Sequence, residues 1–159
     1  TIPAERVARL ASSCLLFFTG FTRHSSAIQA AQLQNLPHNT SMLLELKNHV
    51  ECSTELLNSD RDLSEFGRLL DQTWKIKRRL SKAVSNSLID DCYDTAIRAG
   101  ALGGKILGAG GGGFLLLFVE PERQPAVREA LHKLLFVPYS FESAGSQITM
   151  YSTISYSNQ

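Results

Sequence analysis

The sequence predicts an α+β fold, in which an antiparallel sheet carries its helices on one face. Apolar residues recur at helical spacing over most of the first hundred positions. Beyond Gly100 the period changes to that of strands, and a glycine-rich tract separates two short apolar runs. The sequence thus gives several helices followed by strands, and one early apolar run can join those strands. An antiparallel sheet with helices on one face is the simplest arrangement of these elements.

Helices are predicted wherever apolar residues recur at steps of three and four. Proline is acceptable in the first turn of a helix, so Pro3 fits the start of the first one. Ser87 is predicted as an N-cap and Gly100 as the residue that ends that helix. The predicted helices are Pro3–Ser13, Ser25–Leu36, Ser41–Leu57, Phe66–Leu80, Ser87–Ala99 and Pro125–Leu134.

Strands are predicted from short apolar runs and from alternation. The run that ends at Tyr156 alternates cleanly, as expected for a strand with one buried face. Pro138 falls within another run and places that strand at a sheet edge or a bulge. The predicted strands are Cys14–Thr19, Lys105–Leu107, Phe114–Val119, Phe136–Phe141 and Ile148–Tyr156.

Composition narrows the classes of function. The chain has 159 residues, 43% of them hydrophobic, and a net charge of +1, which argues against a disordered tail and a nucleic-acid binder. Its apolar runs are far shorter than the ~18 residues of a membrane span. Three cysteines without a C-x-x-C pair suggest free thiols in a reducing cytosol. We therefore expect a single cytoplasmic domain, and the start at Thr1 within a helical pattern suggests a fragment of a longer protein.

The most unusual feature is the run from Gly108 to Gly113, Gly-Ala-Gly-Gly-Gly-Gly. It satisfies G-x-G-x-x-G, but a strand follows where a dinucleotide fold needs a helix. Gly103-Gly104-Lys105 also fails as a phosphate loop, because Ala99 and Ile106 stand where that motif needs Gly and Ser or Thr. Five glycines in six residues favour a loop that another chain or a phosphate approaches closely, the alternative being a flexible hairpin tip.

The segment from Gly100 to Leu116 resembles the third motif of the GHMP small-molecule kinases, and is most similar to sugar 1-kinases of the heptose 7-phosphate kinase type. The similarity extends over nearly the whole chain. Its other motifs are Phe18-Thr19-Gly20-x-x-Arg23, Trp74-x-x-Lys77, Ser85-Asn86-x-x-Ile89-Asp90, and Val137-Pro138 through Gly145-Ser146-Gln147. The resemblance implies that residues 1–159 form the C-terminal GHMP domain, a ferredoxin-like antiparallel sheet with additional helices. The ATP-binding N-terminal domain, with its own phosphate loop, is absent from the sequence.

The resemblance also implies that the two domains have different roles in binding the substrates. ATP and Mg²⁺ would be held mainly by the N-terminal domain, on which this domain would pack, and no catalytic residue is assigned here. One group of residues would lie beside the ATP phosphates: Gly108, Gly110, Gly111, Gly112 and Gly113. Another would contact the sugar phosphate: Thr22, Arg23, Trp74 and Lys77.

The sequence pattern alone also bears on three of these residues. Trp74 and Lys77 lie three apart on one predicted helix, on a polar side opposite Leu69 and Ile76. A solvated basic face that includes Lys75, Lys77, Arg78 and Arg79 is an equally compatible interpretation for Lys77 and the favoured one for Lys75 and Arg79. Arg23 follows a strand end and a glycine turn, where its guanidinium suits a phosphate, although a plain surface arginine is equally compatible.

No metal site is predicted. His49 and Cys52 have i, i+3 spacing, but with no further ligand nearby the pair is best explained as coincidence on an amphipathic helix.

The resemblance predicts phosphorylation of the anomeric hydroxyl of D-glycero-D-manno-heptose 7-phosphate, which feeds nucleotide-activated heptose for bacterial surface glycans. Another sugar 1-kinase, such as one acting on fucose, is the alternative within the family. A stand-alone regulatory module that binds a small ligand is the alternative from another class, because ferredoxin-like sheets serve that role too.

Overall fold

The computed structural model describes residues 2–20, 39–142, 145–148 and 150. The helices are α1 (Ala4–Ser12), α2 (Thr40–Leu57), α3 (Ser64–Leu80), α4 (Ser87–Ala99) and α5 (Gln124–Ala130), the last preceded by a 3-10 turn at Pro121–Arg123. The strands are β1 (Cys14–Phe18), β2 (Gly103–Ile106), β3 (Phe114–Phe118) and β4 (Leu135–Phe136). The helix predicted at Ser25–Leu36 lies outside the described residues.

The four strands form one sheet in the order β2-β3-β1-β4, with every neighbouring pair antiparallel. In the central pair, Cys14 lies opposite Phe118 and Phe18 lies opposite Phe114. Along the chain, helices α2 to α4 connect β1 to β2, and α5 connects β3 to β4. The prediction of an α+β, ferredoxin-like antiparallel sheet with additional helices is therefore confirmed.

Both faces of the sheet are buried, so the expectation of helices on one face is wrong. Successive strand residues point to opposite faces. On one face, strand side chains such as Leu15 and Leu117 share a core with residues of α3, α4 and α5. On the other, Cys14 and Phe118 pack with Leu56 near the end of α2. The amphipathic pattern identified the helices but carried no information on which face each one covers.

Helix α3 packs directly against the edge strand β2, and two glycines allow the close contact. A Cβ on Gly103 would lie 2.0 Å from the carbonyl oxygen of Gly67 and 2.6 Å from the nitrogen of Asp71. A Cβ on Gly67 would lie 2.6 Å from Cδ1 of Phe118. Glycine at 103 thus lets helix and strand backbones meet, and β2 begins earlier than the predicted Lys105.

Three predicted details are corrected by the structure. The N-cap of α4 is Asn86 rather than Ser87, because the Asn86 side chain accepts the N–H of Ile89 at 3.0 Å. The strand predicted at Phe136–Phe141 is only the two-residue β4, since the chain leaves the sheet before Pro138. Of the strand predicted at Ile148–Tyr156, only residues 148 and 150 are described; they are not in the sheet and are 85% and 86% exposed.

Candidate functional site

The run from Gly108 to Gly113, which we call the glycine loop, joins β2 to β3. All five of its glycines have positive φ, at 80°, 109°, 73°, 154° and 90° in chain order, whereas no other residue type does so in the described parts of the chain. A residue with a Cβ is strained in this region of backbone space. The high glycine content is therefore a requirement of the backbone path.

One side of the loop lies against the turn that joins α3 to α4. The N–H of Gly111 donates to the carbonyl oxygen of Val84 at 2.8 Å. A Cβ on Gly110 would lie 2.7 Å from that same oxygen and 2.9 Å from the Cα of Val84. The loop thus packs closely against a neighbouring segment of the same domain.

The end of the loop is attached to the end of β1. Both the N–H and the hydroxyl of Thr19 donate to the carbonyl oxygen of Gly113, each at 2.9 Å. Thr19 is buried, and the N–H of Leu107 closes the base of the loop on the carbonyl of Phe114 at 2.8 Å. The start of the segment that carries Thr22 and Arg23 is therefore beside the glycine loop, although those two residues themselves lie outside the described residues.

The beginning of the loop is held by Lys77, whose Nζ donates to the carbonyl oxygen of Gly108 at 2.7 Å. Burial lowers the pKa of Lys77, and the nearby positive charge of Lys105 lowers it further. Within the described residues Lys77 forms no ion pair. Its positive charge is therefore not neutralised by a carboxylate and contributes to the potential at the glycine loop.

Beneath Val84, a small polar network fixes the turn between α3 and α4. Oδ1 of Asp90 accepts from Nη1 of Arg78 at 2.8 Å and from the hydroxyl of Ser85 at 2.7 Å. The guanidinium of Arg78 also lies 5.7 Å from the centre of the Tyr93 ring. These residues connect both helices to the turn that holds the loop.

The arrangement leaves backbone donors for an anion. Among the residues that the structure describes, the N–H groups of Gly110 and Gly112 have no hydrogen-bond partner. Backbone N–H groups in a glycine-rich turn bind an anion where they converge on it. The carbonyl groups of Gly108 and Gly113, at the two ends of the loop, both accept hydrogen bonds.

The structure separates the predicted substrate residues. Trp74 is 0% exposed and packs against Tyr93 in the core, so its predicted place on a polar side of the helix is wrong. Its burial follows from α3 packing against the sheet, which turns Leu70, Trp74 and Ile76 inward. Lys77 reaches the glycine loop instead of projecting freely into solvent.

Two contributors to the site were missed from the sequence. The sequence marks Thr19 only as part of a strand end and of the family motif that continues to Arg23, and Val84 acts through its backbone, which leaves no side-chain signal. The close spacing of Ser85 and Asp90 was the only available sign that the turn before α4 is organised by polar side chains.

His49 has a structural partner. Its Nδ1 lies 2.9 Å from the hydroxyl of Thr73, and the ring is buried, while Cys52 is exposed. In the described residues no three His, Cys, Asp or Glu side chains come together as a set that could hold a metal ion. Each helix there is also too short or too polar to span a lipid bilayer.

Comparison with known proteins gives the family. The model of the family described as "GHMP kinases C terminal" matches residues 51–136, just over half of the chain and including the glycine loop. The chain belongs to the GHMP kinase C-terminal family. The matched residues run from within α2 to β4, so they include the glycine loop, Lys77 and Val84 but not Thr19.

The curated relatives of this GHMP domain are sugar kinases. It is 31% identical over 129 residues to the D-glycero-alpha-D-manno-heptose 7-phosphate kinase of Campylobacter jejuni, covering 79% of this chain and 38% of that enzyme. It is 34% identical over 118 residues to the L-fucokinase/L-fucose-1-P guanylyltransferase of Bacteroides fragilis, covering 72% of this chain and 12% of that protein. The chain thus spans well under half of either relative.

Solved structures agree with the fold. A D-glycero-D-manno-heptose 1-phosphate kinase from Bacteroides thetaiotaomicron is 26% identical with a TM-score of 0.57, covering 87% of this chain and 35% of that one. The mevalonate kinase of Methanococcus jannaschii matches with a TM-score of 0.70 at 20% identity, covering 86% of this chain and 42% of that one, and indicates the fold alone.

Proposed function

We propose that this chain is the C-terminal domain of an ATP-dependent sugar kinase that phosphorylates the anomeric hydroxyl of D-glycero-D-manno-heptose 7-phosphate. The sugar kinase class is supported by family membership and by both curated relatives. The heptose substrate is supported by the relative from Campylobacter jejuni, which matches most of this chain. The domain would work in the cytoplasm, packed on an N-terminal domain that carries the main ATP-binding loop.

The observation that carries the proposal is the glycine loop, with its unpartnered N–H groups at Gly110 and Gly112 and the charge of Lys77 beside them. Phosphoryl transfer depends chiefly on positioning and on neutralising charge around the phosphate. In the proposed enzyme the loop forms one wall of the phosphate site and donates backbone hydrogen bonds to phosphate oxygens. Mg²⁺ would neutralise phosphate charge from the N-terminal domain, as the family resemblance implies.

The sugar end of the site is assigned to the segment after β1. Thr19 fixes the end of β1 to the loop, and Arg23 follows four positions later in the sequence. Its planar guanidinium suits the 7-phosphate, with the hydroxyl of Thr22 as a further donor.

We expect Arg23→Ala in the full-length enzyme to raise the sugar-phosphate KM by ten- to a hundredfold, since a charge-assisted contact contributes about 1.5–3 kcal/mol. The KM for ATP should change little. Steady-state kinetics with each substrate varied in turn measures both values. A loss of ATP affinity with an unchanged sugar KM would assign Arg23 to the nucleotide instead.

The proposal is tested by giving the full-length protein ATP with three sugars separately: D-glycero-D-manno-heptose 7-phosphate, the same heptose without its phosphate, and L-fucose. Phosphorus NMR of the product identifies an anomeric phosphate. Turnover of the heptose 7-phosphate alone is the expected result. Turnover of fucose would support the fucokinase alternative, which rests on the relative from Bacteroides fragilis.

The regulatory-module alternative is separated by the coding region upstream of Thr1. A glycine- and serine-rich phosphate loop encoded there supports the kinase. An in-frame start codon immediately before Thr1 supports a stand-alone module and contradicts the proposal.

A further inference from the structure

In the described part of the chain, the glycine loop is attached to the rest of the domain through Gly108, Gly111 and Gly113, and the attachment at Gly108 is made by a long, charged side chain. Gly111 is held by the backbone of Val84 and Gly113 by Thr19 on the adjoining strand. The third attachment is the bond from Lys77 on α3 to the carbonyl of Gly108. These attachments fix the middle, the end and the beginning of the loop respectively.

We propose that Lys77 is a positioning residue that holds the beginning of the glycine loop in its anion-binding conformation, and that it does not bind the sugar phosphate. This inference rests on the proposed function for its kinetic consequences. Its structural part, that Lys77 orders the loop, can be tested without any substrate.

The environment of Lys77 supports a fixed role. A partly buried ammonium without a carboxylate partner is stable only when its hydrogen bonds are satisfied, and the carbonyl of Gly108 supplies one of them. Lys75, on the same helix, differs in burial and in charge pairing, because its side chain is exposed and its ammonium is paired with Asp71 at 2.6 Å. The two lysines are therefore a matched pair in which only one touches the loop.

The geometry also explains why the loop needs this attachment. Five residues with positive φ have no regular hydrogen-bond ladder, so their conformation must be imposed from outside. An ordered loop presents the N–H groups of Gly110 and Gly112 without paying the entropy of ordering when phosphate arrives. Losing one attachment should therefore lower the rate of phosphoryl transfer more than it lowers the affinity for sugar.

The experiment compares Lys77→Met, Lys77→Arg and the control Lys75→Met in the full-length protein. Hydrogen exchange measured by mass spectrometry without nucleotide reports the order of residues 107–113. We expect Lys77→Met to raise exchange there at least about fivefold, because the bond to Gly108 is lost, and Lys75→Met to leave it unchanged. Lys77→Arg, which keeps a donor at a similar reach, should restore most of the protection. The melting temperature of each variant shows that the fold is retained.

Kinetics provide the second readout. Lys77→Met should lower kcat at least about tenfold while the sugar-phosphate KM stays within about twofold, and Lys77→Arg should recover part of kcat. Unchanged exchange in the loop of Lys77→Met would overturn the inference, as would a raised sugar-phosphate KM with normal kcat. If the wild-type protein phosphorylates no sugar, the proposed function fails, while the exchange comparison still decides whether Lys77 orders the loop.

Discussion

Gly110 and Gly108 have the same unusual backbone conformation but different surroundings. Both have positive φ, yet a Cβ on Gly110 would collide with the backbone of Val84, whereas a Cβ on Gly108 would meet nothing within 4 Å. Backbone strain is thus common to both positions, while steric exclusion applies only to Gly110. Comparing Gly110 with Gly108 therefore distinguishes backbone strain from steric exclusion as the reason for glycine at a loop position.

We expect Gly110→Val to lower turnover of the full-length enzyme at least about tenfold, or about 1.4 kcal/mol in the activation barrier. The branched side chain must push the loop away from Val84, which displaces the N–H groups that are proposed to donate to phosphate. Steady-state kcat and the melting temperature measure the effect.

Gly108→Ala is the matched control and should have the smaller effect on kcat, since it introduces strain alone. Normal kcat and normal stability in Gly110→Val would show that the tract is only a hairpin tip.

Cys14 and Cys52 are expected to differ in reactivity toward alkylating reagents, because Cys14 is buried and Cys52 is exposed. Burial raises the pKa of the Cys14 thiol to about 11, while Cys52 is exposed on α2. At pH 8 about one Cys14 thiol in a thousand is ionised, and the thiolate is the form that reacts. We expect iodoacetamide to modify Cys52 within minutes at pH 8 and Cys14 only after unfolding, as followed by peptide mass spectrometry.

The sign of the accompanying pH dependence follows from the same shift. Because the pKa is raised in the fold, this thiol favours the folded state below about pH 8.5, the ordinary value for cysteine. That contribution is lost as the pH rises toward about 11. Rapid labelling of Cys14 in the native protein at pH 8 would contradict the described burial.

At the scale of elements, the contact between α3 and β2 depends on Gly103 more than on Gly67. At Gly103 the nearest obstacle to a Cβ is backbone at 2.0 Å, whereas at Gly67 it is Cδ1 of the Phe118 ring at 2.6 Å, followed by the Cβ of Leu102 at 2.9 Å. Alanine at 67 also gains helix propensity over glycine, by about 1 kcal/mol.

We expect Gly103→Ala to lower the free energy of unfolding by about 1–3 kcal/mol, as overpacking does. Gly67→Ala should cost clearly less. Urea unfolding of both variants measures the difference, and an equal loss for the two would show that helix and strand separate easily.

The sequence predicted the elements well and their packing poorly. Helical spacing located α3, and the glycine tract marked the hairpin between β2 and β3, because both signals are local. The orientation of α3 depends on which neighbour covers it, so Trp74 was placed on the wrong side of the helix. Gly103 was separated from its strand for a similar reason, since glycine is a poor strand former unless another backbone approaches.

The candidate site was predicted unevenly for the same reason. The glycine loop is visible in composition, whereas Thr19 and Val84 contribute through contacts made only after folding. The N-cap was assigned one residue late because Asn86 and Ser87 are both good capping residues, and only geometry distinguishes them.

At the scale of the whole molecule, the chain supplies one side of the proposed active site. We expect residues 1–159 alone to show no tight ATP binding and no phosphoryl transfer. The contacts of this domain alone do not hold ATP in a prearranged geometry. Isothermal titration calorimetry with ATP and Mg²⁺ measures the affinity for ATP directly. Micromolar affinity would mean that the glycine loop is sufficient to hold the nucleotide.

The two edge strands of the sheet, β2 and β4, bear on the tendency of the protein to aggregate at high concentration. Unpaired strand edges invite other chains to add on and aggregate. In the described part of the molecule β2 is shielded by α3, and β4 offers only two residues, with the guanidinium of Arg128 4.3 Å from the centre of the Phe136 ring. Among the described residues, an incoming strand therefore finds little backbone to pair with at either edge, which disfavours edge-to-edge aggregation there.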